Sequence, residues 1–478
     1  MWIIWSVLGL LVILIAILVI RAIRFVPKQS VAISKKEVTI DEKRVVESLK
    51  TMIKFRTISH VDRSLNDAEA FLGFRNFLKS NYPEINKAAT VKEIPESAIL
   101  FQIKGKSSAE PTVLMAHYDV VPENGVWKYN PFLGEVVDGA IYGRGTLDTK
   151  GSLCGVVESV EHMLQQGHTF ENDLYLAFSG DEEVDSYSAN QVVEHLKSLG
   201  VVPKLVLDEG GAVVSKVFPG VKKKAAVIGI AEKGFIGLEL SSASSGGHAS
   251  MPPKSTPVTH LAKAVTKLNE GRLFPMRLTK AVYSLFDTVA RHSESFAIKI
   301  IFANLWLFLP VVKLLAKSSG GELLAIFKTT QAFTMMQGSE AVNVLPTKAT
   351  IGVNYRLLTG ESMDDVVAKV TKKINNKEVS VKVAYGNEAS EVSVVDESFE
   401  KIEKAIHQTW GDIATTPYLM MAATDSRFYH KISNHVYRFS PMELTKEERG
   451  MIHGVDEAVT IENLINCVKF YLHLLHQL

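Results

Sequence analysis

Short apolar runs alternate with helix-like segments through the first half of the chain. Residues 111–116, 173–178 and 204–207 are dominated by apolar side chains. Runs this short and continuous predict strands buried on both faces of a parallel sheet. Between them, residues 151–166 and 188–199 carry apolar positions at helical spacing, and Gly200 stops the second. The alternation predicts an α/β fold with a mostly parallel sheet. The rhythm changes after Gly229. Residues 233–243 alternate like a half-exposed strand, and 257–269 read as a helix with Pro257 in its tolerated first turn. Two strands (332–337 and 349–357), a helix (362–374) and a strand (379–385) follow. This β-α-β-β-α-β order predicts a split βαβ domain of α+β class, inserted into the first domain as a lid.

Residues 271–330 break the plan, being too long for a connecting loop. Within them 296–317 is strongly apolar, punctuated by Lys299, Lys313 and Lys317 and interrupted by Pro310. The plain expectation is a pair of helices buried against the lid; the sharper one is an apolar flap touching a lipid-like substrate or a bilayer surface. At the N-terminus, residues 2–20 contain no charge, and Arg21, Arg24 and Lys28 follow. That length crosses a bilayer as a helix. With no basic segment before it and no small-x-small cleavage site after it, it reads as a retained membrane anchor rather than a signal peptide. The basic flank favours a cytoplasmic body under the positive-inside rule. The domain plan is therefore a membrane anchor over 1–29, a first catalytic segment over 30–231, the lid with its insertion over 232–388, and a second catalytic segment over 389–478. Residues 30–66 read as a tether entering a helix capped by Asp41.

The 478 residues are 46% hydrophobic and 22% charged, with 53 basic against 52 acidic side chains. Such balance gives no footprint for nucleic acid. Cys154 and Cys467 are the only cysteines, which excludes a disulfide framework and a thiolate zinc site.

The chemistry collects where the strands end. His117 and Asp119 follow the first, Glu182 and Glu183 the second, and Asp208 the third. Asp148 follows the glycine-rich 143–147 turn, and His453 lies near the C-terminus. Singly each has an ordinary reading: a structural His-x-Asp triplet, a helix cap, a solvated acidic turn, a turn aspartate, a core histidine. Together they indicate a two-metal hydrolase, because ligands in open α/β sheets gather beyond the carboxyl ends of strands. Asp119 can orient His117 from behind, Asp148 can bridge two cations, and one of the paired glutamates can ligate while the other handles a proton.

The segments 115–122, 142–151, 180–183, 207–210 and 452–454 resemble the dinuclear-zinc aminoacylase and carboxypeptidase metallopeptidases, a family that includes acetylornithine deacetylase and carboxypeptidase S. Residues 423–428 and 437–441, with the long apolar insertion, resemble its N-fatty-acyl-amino-acid synthase/hydrolase branch. The resemblance covers roughly residues 40–478. It implies one zinc held by His117, Asp148 and Asp208, and a second held by Asp148, Glu183 and His453. It further implies Glu182 as general acid/base, Asp119 as support for His117, and His248 polarising the scissile carbonyl. Asn343, Arg356 and, more weakly, Arg427 would grip the substrate. Two departures stand out: Thr149 replaces a common acidic residue, and Ala422-Ala423 replaces a common Gly-Gly.

The expected function is zinc-dependent hydrolysis, and by reversibility synthesis, of the amide bond of N-acyl amino acids or small peptides. The alternatives are a zinc aminopeptidase or carboxypeptidase of short peptides, and a non-catalytic membrane-anchored binding module. Two zinc ions, a bilayer at residues 2–20 and a homodimer through the lid are the expected partners. The resemblance places the catalytic body in lumenal, periplasmic or extracellular space, against the charge flank.

Overall fold

The sheet that carries the site owes its position to strands with no polar face. In the strand Ser107–His117, Val113 and Leu114 are both fully buried. Successive side chains of a strand point to opposite faces. Accordingly Leu114 and Ala116 join one apolar core, and Val113 and Met115 join another on the far side. Each such side chain contributes about 1.5–3 kcal/mol on burial. The computed structural model describes residues 1–27, 34–95, 97–215, 220–270 and 273–478. Lys28, the tether start at residue 30 and the first two residues of the 271–330 insertion lie outside the described residues.

Eight strands form one mixed sheet in the order Ala89–Ile94, Ala98–Ile103, Asn172–Ser179, Ser107–His117, Leu205–Val214, Val436–Leu444, Ala225–Glu232, Ala414–Met420. The three strands of the sequence reading lie side by side and parallel at its centre. The helices Lys150–Gln165 and Ile461–Leu475 pack on one face, and Tyr187–Ser198 covers the other. The third strand does not stop at Leu207, as the sequence suggests; it continues to Val214, so Asp208 and Glu209 lie inside it.

A separate antiparallel sheet forms the lid, in the order Thr330–Gln337, Lys348–Leu357, Gly234–Ala243, Ser380–Asn387. Its helices Pro257–Glu270 and Met363–Ile374 bury Leu261, Val366 and Val370 against Leu238, Ile351 and Val353 in a core of their own.

Apart from Leu273 and Phe274 at its start, which join that core, the insertion packs elsewhere. The helix Lys280–Arg291 packs on the strand Ala414–Met420, and Val282, Leu285, Phe286 and Val289 enter the main core of the catalytic domain. The expectation of helices buried against the lid is thus corrected. A helix with apolar side chains at 281, 282, 285, 286, 289 and 290 needs an apolar partner, and the edge strand of the large sheet offers one. Two further helices, Phe296–Ala303 and Leu305–Ser319, meet at 111°. The N-terminal helix Trp2–Ile23 is long and apolar enough to cross a membrane. Most of its large side chains are exposed, and only its C-terminal end touches the rest of the chain.

Candidate dinuclear metal centre

His117 ends its strand opposite Ser179 on the neighbouring one, so the 179–183 turn is delivered beside it. Two overlapping groups of side chains gather there: His117, Asp148 and Glu209, and Asp148, Glu183 and His453. Within each group the ligand atoms lie within 4.8 Å of one another. Asp148 is shared. Its Oδ1 sits 3.0 Å from His117 Nε2 and its Oδ2 3.0 Å from His453 Nε2. Glu209 Oε1 is 3.3 Å from His117 Nε2, and Glu183 Oε2 is 3.1 Å from His453 Nε2. Two atoms bound tetrahedrally to one zinc at its usual bond lengths lie about 3.3 Å apart. The spacing and the donor set, imidazole and carboxylate without thiolate, therefore fit a pair of divalent ions bridged by Asp148.

Asp208 is in neither group. Glu209 reaches His117, while Asp208, which still feels the charges of His117 and Asp425, is held by backbone N–H groups. Asp208 accepts the backbone N–H of Ser426 at 2.9 Å and of Glu209 at 2.9 Å. In this structure Glu209, rather than Asp208, stands in a group with His117 and Asp148.

Asp119 is fully buried behind His117, its Oδ1 3.2 Å from Nδ1. It also accepts the Ser59 hydroxyl and the N–H groups of Glu182 and Glu183, at 2.7, 3.2 and 3.1 Å. One carboxylate thus orients the imidazole and pins the backbone of both glutamates. Asp148 is fixed by Glu457, which sequence reasoning missed. This buried carboxylate accepts the N–H groups of Gly145, Leu147 and Asp148 and pairs with Arg144 at 2.7 Å. Gly145, at φ +91°, supplies the left-handed turn that brings those N–H groups together. The Asp148–Thr149 peptide bond is cis.

The electrostatics are those of a cation site. Burial, then the nearby Asp148, pushes Glu209 up to about 8. Burial, then Asp425, Glu209 and Glu183, holds Glu182 well above the carboxylate range against the pull of His117. Hydrogen bonds to Asp148 and Glu183 raise His453 to about 10. Crowded carboxylates hold on to protons unless positive charge is supplied.

The remaining sequence candidates fall elsewhere. His248 is exposed in the lid, its Nδ1 accepting from Ser250, and Gly247–His248 pairs with Val344–Leu345. Asn343 lies beside it, its carbonyl accepting the N–H of Ala249 at 3.0 Å. Their contacts are within the lid rather than with the metal-site residues. Arg427 is held through its terminal nitrogens, while its Nε is buried without a hydrogen-bond partner. It donates to the Thr424 carbonyl and Ser186 Oγ and stacks on Phe428 at 4.6 Å. Arg356 stacks on Phe235 at 5.5 Å and lines a cavity of about 940 Å³. That cavity reaches Gly210, next to Glu209, and is walled mainly by apolar side chains such as Phe286, Val289, Ile301, Phe302 and Val312, with Lys233, Glu322 and Thr330 among its polar liners. Arg449, also missed in the sequence, faces the same cavity, its Nε buried without a hydrogen-bond partner.

Residues 113–477 match the family model for peptidase family M20/M25/M40. The chain belongs to this family. It is an M20 metallohydrolase, an enzyme of a family with a dinuclear metal site acting on amide and peptide bonds. The probable carboxypeptidase S-like 2 of Dictyostelium discoideum is 34% identical, covering 98% of this chain and 92% of that protein. The N-fatty-acyl-amino acid synthase/hydrolase PM20D1 of Xenopus tropicalis is 33% identical over 97% and 93%. Among solved structures, the M20 metallo-carboxypeptidase Sso-CP2 of Sulfolobus solfataricus shares the fold with a TM-score of 0.66. It is 17% identical and is covered to 99%, against 91% of this chain. Membership of an enzyme family removes the reading of a non-catalytic binding module.

Proposed function

We propose that this M20 hydrolase cleaves, and by mass action re-forms, the amide bond of N-acyl amino acids with long acyl chains, using two zinc ions. The observation that carries the reading is the cavity. About 940 Å³ of mainly apolar space adjoins the residue after Glu209, and two guanidinium groups, Arg356 and Arg449, border it. An acyl chain needs the apolar wall, and an amino-acid carboxylate needs a cation able to form paired hydrogen bonds. A relative of similar length carries the name N-fatty-acyl-amino acid synthase/hydrolase.

His117, Asp148 and Glu209 would hold one ion, and Asp148, Glu183 and His453 the other. Bound there, such a pair lowers the pKa of water and polarises a carbonyl oxygen. Glu182 takes the proton released as water attacks the amide carbon. It delivers that proton to the nitrogen as the C–N bond breaks, giving a carboxylic acid and a free amino acid. Burial raises its proton affinity, which helps it hold the proton between the two transfers. Asp119 keeps the His117 ring and the Glu182 backbone fixed throughout. Run backwards, the same transfers join acid and amine. His248 and Asn343 would have to act by approach of the lid, or from the lid of a second copy. Pairing of lids is supported by the edge strand Thr330–Gln337, which exposes Met335 and Met336. The helix Trp2–Ile23 would remain as an anchor with the body on the lumenal or extracellular side, which protease access on intact cells checks.

The test is a comparison of kcat/KM for N-hexadecanoyl-leucine, N-acetyl-leucine and a leucine dipeptide with zinc-loaded protein. The long-chain substrate should be preferred. Glu182→Gln should lower turnover by about 10²–10⁴-fold, the usual contribution of a positioned acid/base, with metal content unchanged. Faster cleavage of the acetyl compound or dipeptide would falsify the fatty-acyl assignment and favour a short-peptide carboxypeptidase, the activity named for the other relative.

A further inference from the structure

The helix Leu305–Ser319 has two apolar faces. Leu305, Val312 and Ala316 turn inward. Leu307, Val311, Leu314 and Leu315 recur at helical spacing on the opposite side and are exposed, as are Trp306 and Phe296. Leu314 is 66% and Trp306 61% exposed, high for such side chains on a surface facing water. Between Ser295 and Gly321 the chain has no acidic residue and three lysines. This is the composition of an interfacial helix, apolar on one side and basic at its margins.

Its position names the occupant. The corner between Phe296–Ala303 and Leu305–Ser319 is where the N-terminal helix docks. Arg21 donates twice to the Ala303 carbonyl, at 3.1 and 2.9 Å, and Asn304 Nδ2 donates to the Leu18 carbonyl at 3.1 Å. Phe25 is buried with Ala290 and Ala303 beneath the Arg291 guanidinium, 4.3 Å from its ring. The 22-residue helix ending there spans about 33 Å at the α-helical rise, a bilayer's apolar thickness. With that helix across a membrane, the corner held to its inner end sits at the membrane surface, and the exposed face of Leu305–Ser319 sits beside it. The cavity connects to the same face: Leu315 is 54% exposed and also lines the cavity, as does the partly exposed Leu323.

We propose that the hairpin of residues 296–319 is seated in the interfacial layer of a lipid bilayer. There it forms a lateral doorway through which the acyl tail of the substrate passes directly between lipid and cavity. The doorway rests on the acyl-amide reading; the seating in lipid does not.

The test uses the full chain reconstituted in phosphatidylcholine vesicles. Cys154 and Cys467 are buried, so an environment-sensitive fluorophore can be directed to Trp306→Cys or Leu314→Cys, with Lys382→Cys on the lid as control. Nitroxide-labelled lipids should quench the first two and spare the control. Equal, weak quenching at all three sites overturns the proposal. So does burial of the 306 and 314 labels that follows protein concentration rather than lipid, which would give the face to a second copy. For the doorway, Trp306→Glu with Leu314→Glu should slow hydrolysis of vesicle-borne N-hexadecanoyl-leucine about tenfold, the scale of a lost interfacial contact. Hydrolysis of N-acetyl-leucine in water should be unchanged. Equal rates for wild type and variant on the vesicle-borne substrate overturn the doorway. A wild type that leaves N-hexadecanoyl-leucine intact, together with quenching of the label on Trp306→Cys, would discard the acyl reading and keep the membrane seat.

Discussion

Asp208 and Glu209 are neighbours of like charge with different partners: Glu209 meets His117, and Asp208 accepts the backbone N–H groups of Glu209 and Ser426. Glu209→Gln should therefore reduce bound zinc from two ions per chain toward one. Asp208→Asn should keep both ions and weaken the fold through the lost Ser426 contact, by about 1–3 kcal/mol. Elemental analysis and urea unfolding separate the two. A second expectation concerns His430, which is buried against Arg438, its Nε2 accepting from the guanidinium at 3.4 Å. Burial, then Arg438, lowers its pKa from 6.5 to about 3. Between those values the unfolded chain binds a proton that the folded one refuses. Stability is thus complete above pH 6.5 and declines as pH falls toward 3, by at most about 1.4 kcal/mol per unit. His430→Gln should flatten that part of the profile, read as urea midpoints at pH 7 and pH 5. His117, Asp148, Glu183 and His453 were legible in the sequence because each stands in a short polar motif at the end of an apolar run or beside glycines. Which member of the Asp208-Glu209 pair meets His117 was not, since it depends on how the strand continues past Leu207. Glu457 and Arg449 carry no local signal; their roles exist only once distant turns meet.

The helices of the insertion illustrate a different limit. Their apolar spacing is plain in the sequence, but hydrophobic burial is non-directional, so the pattern does not say which surface receives them. The large sheet took them, and its edge strand Ala414–Met420 came from a stretch of the chain with no strong strand signal. The consequence is a cavity wall shared by catalytic strand and insertion. Val289 lies on that wall. Val289→Phe should raise KM for the hexadecanoyl substrate about tenfold, the discrimination available from one or two methylenes of space, and leave N-acetyl-leucine unaffected. Thermal denaturation checks that the larger ring has not cost more than the roughly 1–3 kcal/mol of ordinary overpacking. By contrast, the antiparallel lid sheet was well outlined beforehand, because each of its strands and helices keeps its own period, although its core is built from chain on both sides of the insertion.

The lid has an apolar core of its own, apart from those on the two faces of the large sheet, and the proposed pairing of copies would use its outer strand. Light scattering of the detergent-solubilised chain should report a dimer, and Met335→Lys with Met336→Lys on the outer lid strand should shift it to monomer. The order of assembly follows from where the ligands lie. His117, Asp148, Glu183 and Glu209 all leave the ribosome more than two hundred residues before His453, and Glu457 follows later still. A nascent chain therefore carries most of a hydrolytic centre that cannot close until synthesis is nearly finished. With the ligand set proposed above, translation itself would work as a safety catch: a message cut short anywhere before codon 453 would yield a chain with no working active site.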